Sequence, residues 1–98
     1  MAKFYAGKGH HIEFLPEVAG ISSPDTIIDG IKVDFKSLSS ANNIERHAKD
    51  AIYKQGADEV WFEFDKGNDK IYEKLRKLSG IGIHGRYFVK GKNVEQSF

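Results

Sequence analysis

Cysteine is absent from this chain. That excludes disulfides, thiolate metal sites and cysteine nucleophiles, and it leaves the redox compartment open. No stretch is long and apolar enough to span a membrane, and nothing resembles a signal peptide. A strong charge of either sign is missing too: 15 Lys and Arg stand against 14 Asp and Glu, for a net charge of +1 and a pI near 8.0. A free-standing nucleic-acid binder is usually more basic. The balance argues against a large nucleic-acid footprint and leaves room for a local basic patch. Repeats, linkers and low-complexity segments are also lacking. With 98 residues the expectation is a single domain, 1–98, with a small core, of a size that suits the detachable end of a larger protein.

What is present centres on the stretch Pro24-Asp25-Thr26-Ile27-Ile28-Asp29-Gly30-Ile31-Lys32-Val33-Asp34-Phe35-Lys36. Asp29-Gly30 between two β-branched runs is a strong hairpin signal. A two-residue turn sets the register: Ile28 faces Ile31, Ile27 faces Lys32, Thr26 faces Val33 and Asp25 faces Asp34. Side chains alternate along a strand, so Asp25, Ile27, Lys32, Asp34 and Lys36 share one face. Two carboxylates then sit opposite one another with an ammonium one step along. Like charges placed so are destabilising. Their combined use would be to hold a divalent cation through oxygen ligands, with the lysine near the reacting water. The alternative is structural: Asp25 as a turn former, and Asp34 with Lys36 as a solvent-facing ion pair on an exposed sheet face.

The segment before the hairpin is Gly-rich and basic, and residues 1–12 read as an irregular arm or an edge strand. His10 and His11 are conceivable metal ligands, but adjacent residues of a strand point opposite ways, and a polar terminal segment is the simpler reading. Glu13 to Gly20 fits a short strand or a helical turn, with Pro16 suited to a first helical position. Beyond Lys36, Asn42 or Asn43 can cap a helix that runs to Gln55, and Gly56 ends it in the left-handed conformation. Ile44, Ala48, Ala51, Ile52 and Gln55 recur at helical spacing and form its buried face, with His47 beside it. Residues 59–65 alternate, placing Val60, Phe62 and Phe64 on one side and Trp61 on the other. A strand–helix–strand unit crosses over right-handedly, so this strand is expected parallel to the 31–38 strand or near it. A turn at Lys66-Gly67-Asn68-Asp69 leads to a helix over 69–79 with Ile71, Leu75 and Leu78 inward and Lys70, Lys74 and Lys77 as an outward stripe. Arg86 to Val89 forms a last strand, and the end of the chain, with 92–98 as a tail, is expected to fray. The order β-hairpin, α, β, α, β predicts an α+β fold with helices packed on a small mixed sheet.

Pro24-Asp25 followed by Asp34-Phe35-Lys36 resembles the PD-(D/E)xK signature of metal-dependent nucleases. The likeness extends over roughly residues 13–90, through Leu15-Pro16-Glu17, Ser23-Pro24-Asp25, Asp29-Gly30, Asp34-Phe35-Lys36-Ser37, Lys54-Gln55-Gly56-Ala57 and Val60-Trp61-Phe62-Glu63-Phe64. Over these elements the chain resembles the C-terminal toxin domains of contact-dependent growth inhibition proteins, whose relevant members are tRNA nucleases. The resemblance implies a metal-dependent ribonuclease that cleaves tRNA. It implies Mg²⁺ or Mn²⁺ held by Asp25 and Asp34 and the Phe35 carbonyl, with Glu17 (or Glu13) in place of the acidic residue that the family carries on a longer N-terminal helix. Lys36 would orient or deprotonate the attacking water, and Gln55 and His47 would border and support the site. The Lys70, Lys74 and Lys77 stripe could track the RNA backbone, although such stripes are more often solvated faces. Trp61 could stack on a base, or serve as core. An immunity protein is the implied partner. The implied setting is the toxin end of a secreted or surface protein, acting in the target-cell cytoplasm. Two other readings stay open: a metal-independent ribonuclease of the barnase, colicin or endoribonuclease-U type using groups such as His84 and Arg86, and a non-enzymatic interaction domain.

Overall fold

The computed structural model describes residues 2–14, 26–92 and 94–98. A short helix α1 (Ala2–Gly7) is followed by β1 (Ile12–Phe14), β2 (Thr26–Ile28), β3 (Ile31–Leu38), α2 (Ile44–Lys49), β4 (Glu59–Phe64), α3 (Asp69–Gly80), β5 (Gly85–Val89) and β6 (Gln96–Ser97). The strands form one six-stranded sheet in sequence order. β3, β4 and β5 run parallel, and the pairs β1–β2, β2–β3 and β5–β6 are antiparallel.

The hairpin between β2 and β3 has the predicted register, Thr26 with Val33, Ile27 with Lys32 and Ile28 with Ile31. Asp29 and Gly30 both have positive φ, 50° and 88°, as a two-residue turn matched to the strand twist requires. Two successive crossovers of one hand place α2 and α3 on the same face of the sheet. There Ile44, Ala48, Ala51, Ile71, Leu75 and Leu78 pack on Val60, Phe62 and Phe64. Asn68 starts α3 by accepting from the Ile71 amide at 3.0 Å. The helix after β3 is α-helical only to Lys49; a π-helical turn, Asp50–Lys54, completes it. Gly56, at φ 75°, then reverses the chain.

The other face of the sheet is closed by the chain's beginning. Instead of an irregular arm, residues 2–7 form α1, because Phe4 and Tyr5 have an apolar surface to cover. Tyr5 is fully buried with Ile28, Val33, Trp61 and Phe88, and Phe4 stacks on Phe88 at 3.8 Å between centroids. The expected tail is likewise ordered by pairing: β6 adds to β5 through Arg86–Ser97 and Tyr87–Gln96. Both ends are tied at His10. Its Nδ1 lies 2.6 Å from Asp29 Oδ2 in the hairpin turn, and its Nε2 lies 2.7 Å from Glu95 Oε2 before β6. Its ring meets Trp61 edge-on at 5.0 Å. Burial opposes the charged form of His10, but the hydrogen bonds to Asp29 and Glu95 outweigh it and raise the pKa.

Candidate functional site

Asp34 lies in the middle of β3, beside Val60 of β4. It therefore faces the helices. The structural alternative of a solvent-facing pair does not hold, because Asp34 is 1% exposed. Lys36 follows two residues on, on the same face, and its Nζ reaches Asp34 Oδ2 at 2.9 Å. Its side chain is 22% exposed, so the ammonium is held at the rim of the helix layer. Gln55 closes over the carboxylate from the end of the π-helical turn. With its amide oriented to satisfy both groups, its nitrogen donates to Asp34 Oδ2 at 2.6 Å and Oδ1 at 3.2 Å. The π turn sets this reach: the Gln55 amide donates to the Asp50 carbonyl five residues back. Such turns recur at functional sites.

His47 lies on the flank of α2 that faces Lys36. Burial, then the ammonium of Lys36 and the guanidinium of Arg46, lower its pKa below the ordinary histidine value. A neutral imidazole thus borders the Asp34–Lys36–Gln55 cluster at neutral pH.

Glu17 and Asp25, the other expected metal ligands, lie outside the described residues. Among the described residues no group of three His, Asp or Glu side chains is placed to hold a metal ion. The described part of the donor set is one carboxylate, Asp34, which Lys36 and Gln55 fix in orientation. A carboxylate oxygen is of the ligand type that Mg²⁺ and Mn²⁺ accept.

The lysine stripe stands apart from this cluster but on the same side of the sheet. Lys70 and Lys77 are exposed and Lys74 is half-buried. Lys74 and Lys77 line a surface groove of about 420 Å³ with Glu45, Leu78, Gly80 and Ile81. Trp61 and Arg86 occupy the opposite face. Trp61 is 2% exposed, so it is core, and its indole donates to Glu59 at 2.9 Å. Arg86 covers its ring at 5.7 Å and approaches Glu95 at 3.6 Å. His84 is exposed and lies 3.2 Å from the Phe98 carbonyl. With both nitrogens engaged by carboxylates, His10 is a tie between distant segments and has no free ring nitrogen for a metal. Sequence reasoning missed that role. No local pattern signals it, because Asp29 and Glu95 lie 19 and 85 residues from His10 in the chain.

No protein-family model matches the chain, and no curated protein sequence does. Among solved structures it is similar to one chain of a CdiA-CT/CdiI toxin and immunity complex from Burkholderia pseudomallei, with a TM-score of 0.68 at 20% identity. The match covers 99% of this chain and 77% of that one. The two chains share a fold. A match over 99% of this chain takes in the helix α1 and the strand β6, which sequence patterns did not show.

Proposed function

We propose that this chain is the toxin domain of a contact-dependent growth inhibition protein, that it is a metal-dependent ribonuclease cleaving tRNA, and that a cognate immunity protein neutralises it. The observation that carries the nuclease reading is the Asp34–Lys36–Gln55 cluster. An ion pair whose carboxylate is buried on a helix-packed face can cost more in desolvation than its attraction returns, and apolar residues of similar volume often serve stability as well. A buried carboxylate held between an ammonium and a side-chain amide at such a place supports a chemical role. The fold shared with a chain of a toxin–immunity complex supports the toxin setting and the immunity partner.

In this reading Asp34, with Asp25 and Glu17, would hold Mg²⁺ or Mn²⁺, which would supply a water of lowered pKa and offset charge at the phosphate. The Lys36 ammonium faces the scissile phosphate and steadies the charge that grows there. Gln55 keeps Asp34 from turning away when Lys36 engages RNA. His47 contributes an uncharged donor or acceptor at the edge of the site. The domain would be the exported toxin end of a surface protein, acting on tRNA in the target-cell cytoplasm.

The test is cleavage of purified tRNA with Mg²⁺ or Mn²⁺, with and without EDTA, for the wild type and for Asp25→Asn and Asp34→Asn. Cleavage that needs metal and is lost in both variants is expected. Cleavage that survives EDTA would replace this reading with a metal-independent ribonuclease. No cleavage of any RNA under either condition would leave an interaction domain.

A further inference from the structure

The near-neutral composition hides a separation of charge that the fold creates. The layer formed by α2, its π-helical extension and α3 carries seven of the 15 basic residues but only four of the 14 acidic ones. The basic ones are Arg46, Lys49, Lys54, Lys70, Lys74, Arg76 and Lys77. Four of them, Arg46, Lys70, Lys74 and Arg76, make no ion pair among the described residues. The acidic residues of the layer are largely occupied: Glu45 holds Lys49 at 2.7 Å, Asp50 lies 3.5 Å from Lys54, and Glu73 lies 3.7 Å from Lys77. The rest of the chain has ten acidic residues against eight basic ones, and several of those carboxylates are tied to His10, Lys90 and Arg86.

The cations on this side of the sheet are also ordered in space. On α2 the buried residues Ile44, Ala48 and Ala51 face the sheet, so helical spacing puts His47 on one flank, Arg46 on the crest and Glu45 on the other flank. Glu45 pairs with Lys49 at 2.7 Å and lines one groove with Lys74 and Lys77, so its flank faces α3. The His47 flank faces the other way, toward β3, which carries Lys36. Across the layer the order is therefore Lys36, His47, Arg46, Glu45 with Lys49, then Lys74 and Lys77. Helical spacing puts Arg76 on the same flank of α3 as Tyr72, which meets Tyr87, away from Lys74 and Lys77, so it is not part of this line.

We infer that this line is the path of the RNA backbone: Arg46 on the crest of α2, and Lys74 and Lys77 on the near flank of α3, bind successive phosphates of the strand whose scissile phosphate lies at Lys36. This rests on the nuclease reading and adds to it the direction in which the substrate leaves the site. Of the residues named, Arg46 is assigned by the fold alone. Its sequence neighbours give no sign of it, and only the packing of α2 sets it between the site and the lysines of α3. RNA is favoured over an acidic protein because the line begins at Lys36, in the cluster that would act on the phosphate. Bound phosphates on these cations release condensed counterions, so each contact contributes to the salt dependence of binding.

The experiment is tRNA binding in EDTA, where the metal-dependent enzyme leaves the RNA intact, measured by fluorescence anisotropy from 50 to 300 mM KCl. The slope of log K against log salt should flatten by about 0.7 to 0.9 for each of Arg46→Ala, Lys74→Ala and Lys77→Ala, and by about twice that in the Arg46→Ala/Lys74→Ala double variant. Lys92→Ala, an exposed cation outside the line, should leave the slope unchanged. A wild type that binds and cuts tRNA while the Arg46 and Lys74 variants keep its slope overturns the path and leaves the nuclease reading standing. Failure of the wild type to bind or cut tRNA overturns both. Poly-glutamate binding as tightly as tRNA, with the same losses in the variants, would overturn the RNA assignment in favour of an acidic protein partner.

Discussion

Replacing His10 by Gln should cost this small domain a large part of its stability, and the cost should depend on pH. His10 is 13% exposed and its partner Glu95 16% exposed, while Asp29 is half-exposed. The bond to Glu95 therefore dominates. A hydrogen bond between charged groups contributes about 1.5–3 kcal/mol. Arg86, 3.6 Å from Glu95, remains to offset part of the loss, so about 2 kcal/mol is expected. For a domain of this size 1 kcal/mol moves the melting temperature by about 4–8 °C, which gives a fall of about 8–16 °C. The pKa of His10 is raised in the folded protein. The folded state then binds its proton more tightly, so its contribution is fully present below the unfolded value of about 6.5 and is lost as pH rises through the folded value. Asp29 has its pKa lowered, first by His10 and then by the His11 amide. Its contribution is present above the ordinary carboxylate range and is lost as pH falls through the lowered value. The tie is strongest between those limits. Thermal melts of wild type and His10→Gln at pH 6.0 and pH 9.0 separate the charge from simple packing. A larger gap at pH 6.0 is expected. A gap equal at both values, or larger at pH 9.0, would refute the argument that an imidazolium joins the two ends of the chain to the hairpin.

Three other variants follow from the geometry. Lys36→Met keeps the apolar stem and removes the ammonium 2.9 Å from Asp34; it should abolish tRNA cleavage and lower stability by about 1–3 kcal/mol, read by gel assay and denaturant titration, and cleavage at the wild-type rate would remove Lys36 from the chemistry. Gly85→Ala would drive a methyl into the Val60 carbonyl and to 3.2 Å from Phe98 Cζ, so β4 and β5 must part, at a cost of about 3 kcal/mol; Gly80→Ala, with nothing within 4 Å, should leave the melting temperature almost unchanged.

What the amino-acid sequence determined by itself is local. Asp29-Gly30 sets a two-residue turn, and with it the register of β2 on β3, because the turn's positive φ angles and the strand pairing lie within a few residues of each other. The helical spacing of Ile71, Leu75 and Leu78 and the alternation of Val60, Phe62 and Phe64 are equally local, and all six are buried as their periods require. Asp34 and Lys36 could be placed on one face of one strand. Whether that face met water or helices could not, since it depends on where two crossovers carry α2 and α3. The structure buries Asp34 and brings Gln55, 21 residues later in the chain, onto its carboxylate through a π-helical turn that no periodicity foreshadows. It converts the expected arm and tail into α1 and β6 because the second face of the sheet needs cover and the edge of β5 needs a partner. It also gathers seven of the 15 basic residues and only four of the 14 acidic ones into one helix layer. Each of these outcomes joins residues far apart in the chain, and such contacts are selected by the burial they permit once the sheet has closed, which no local pattern encodes.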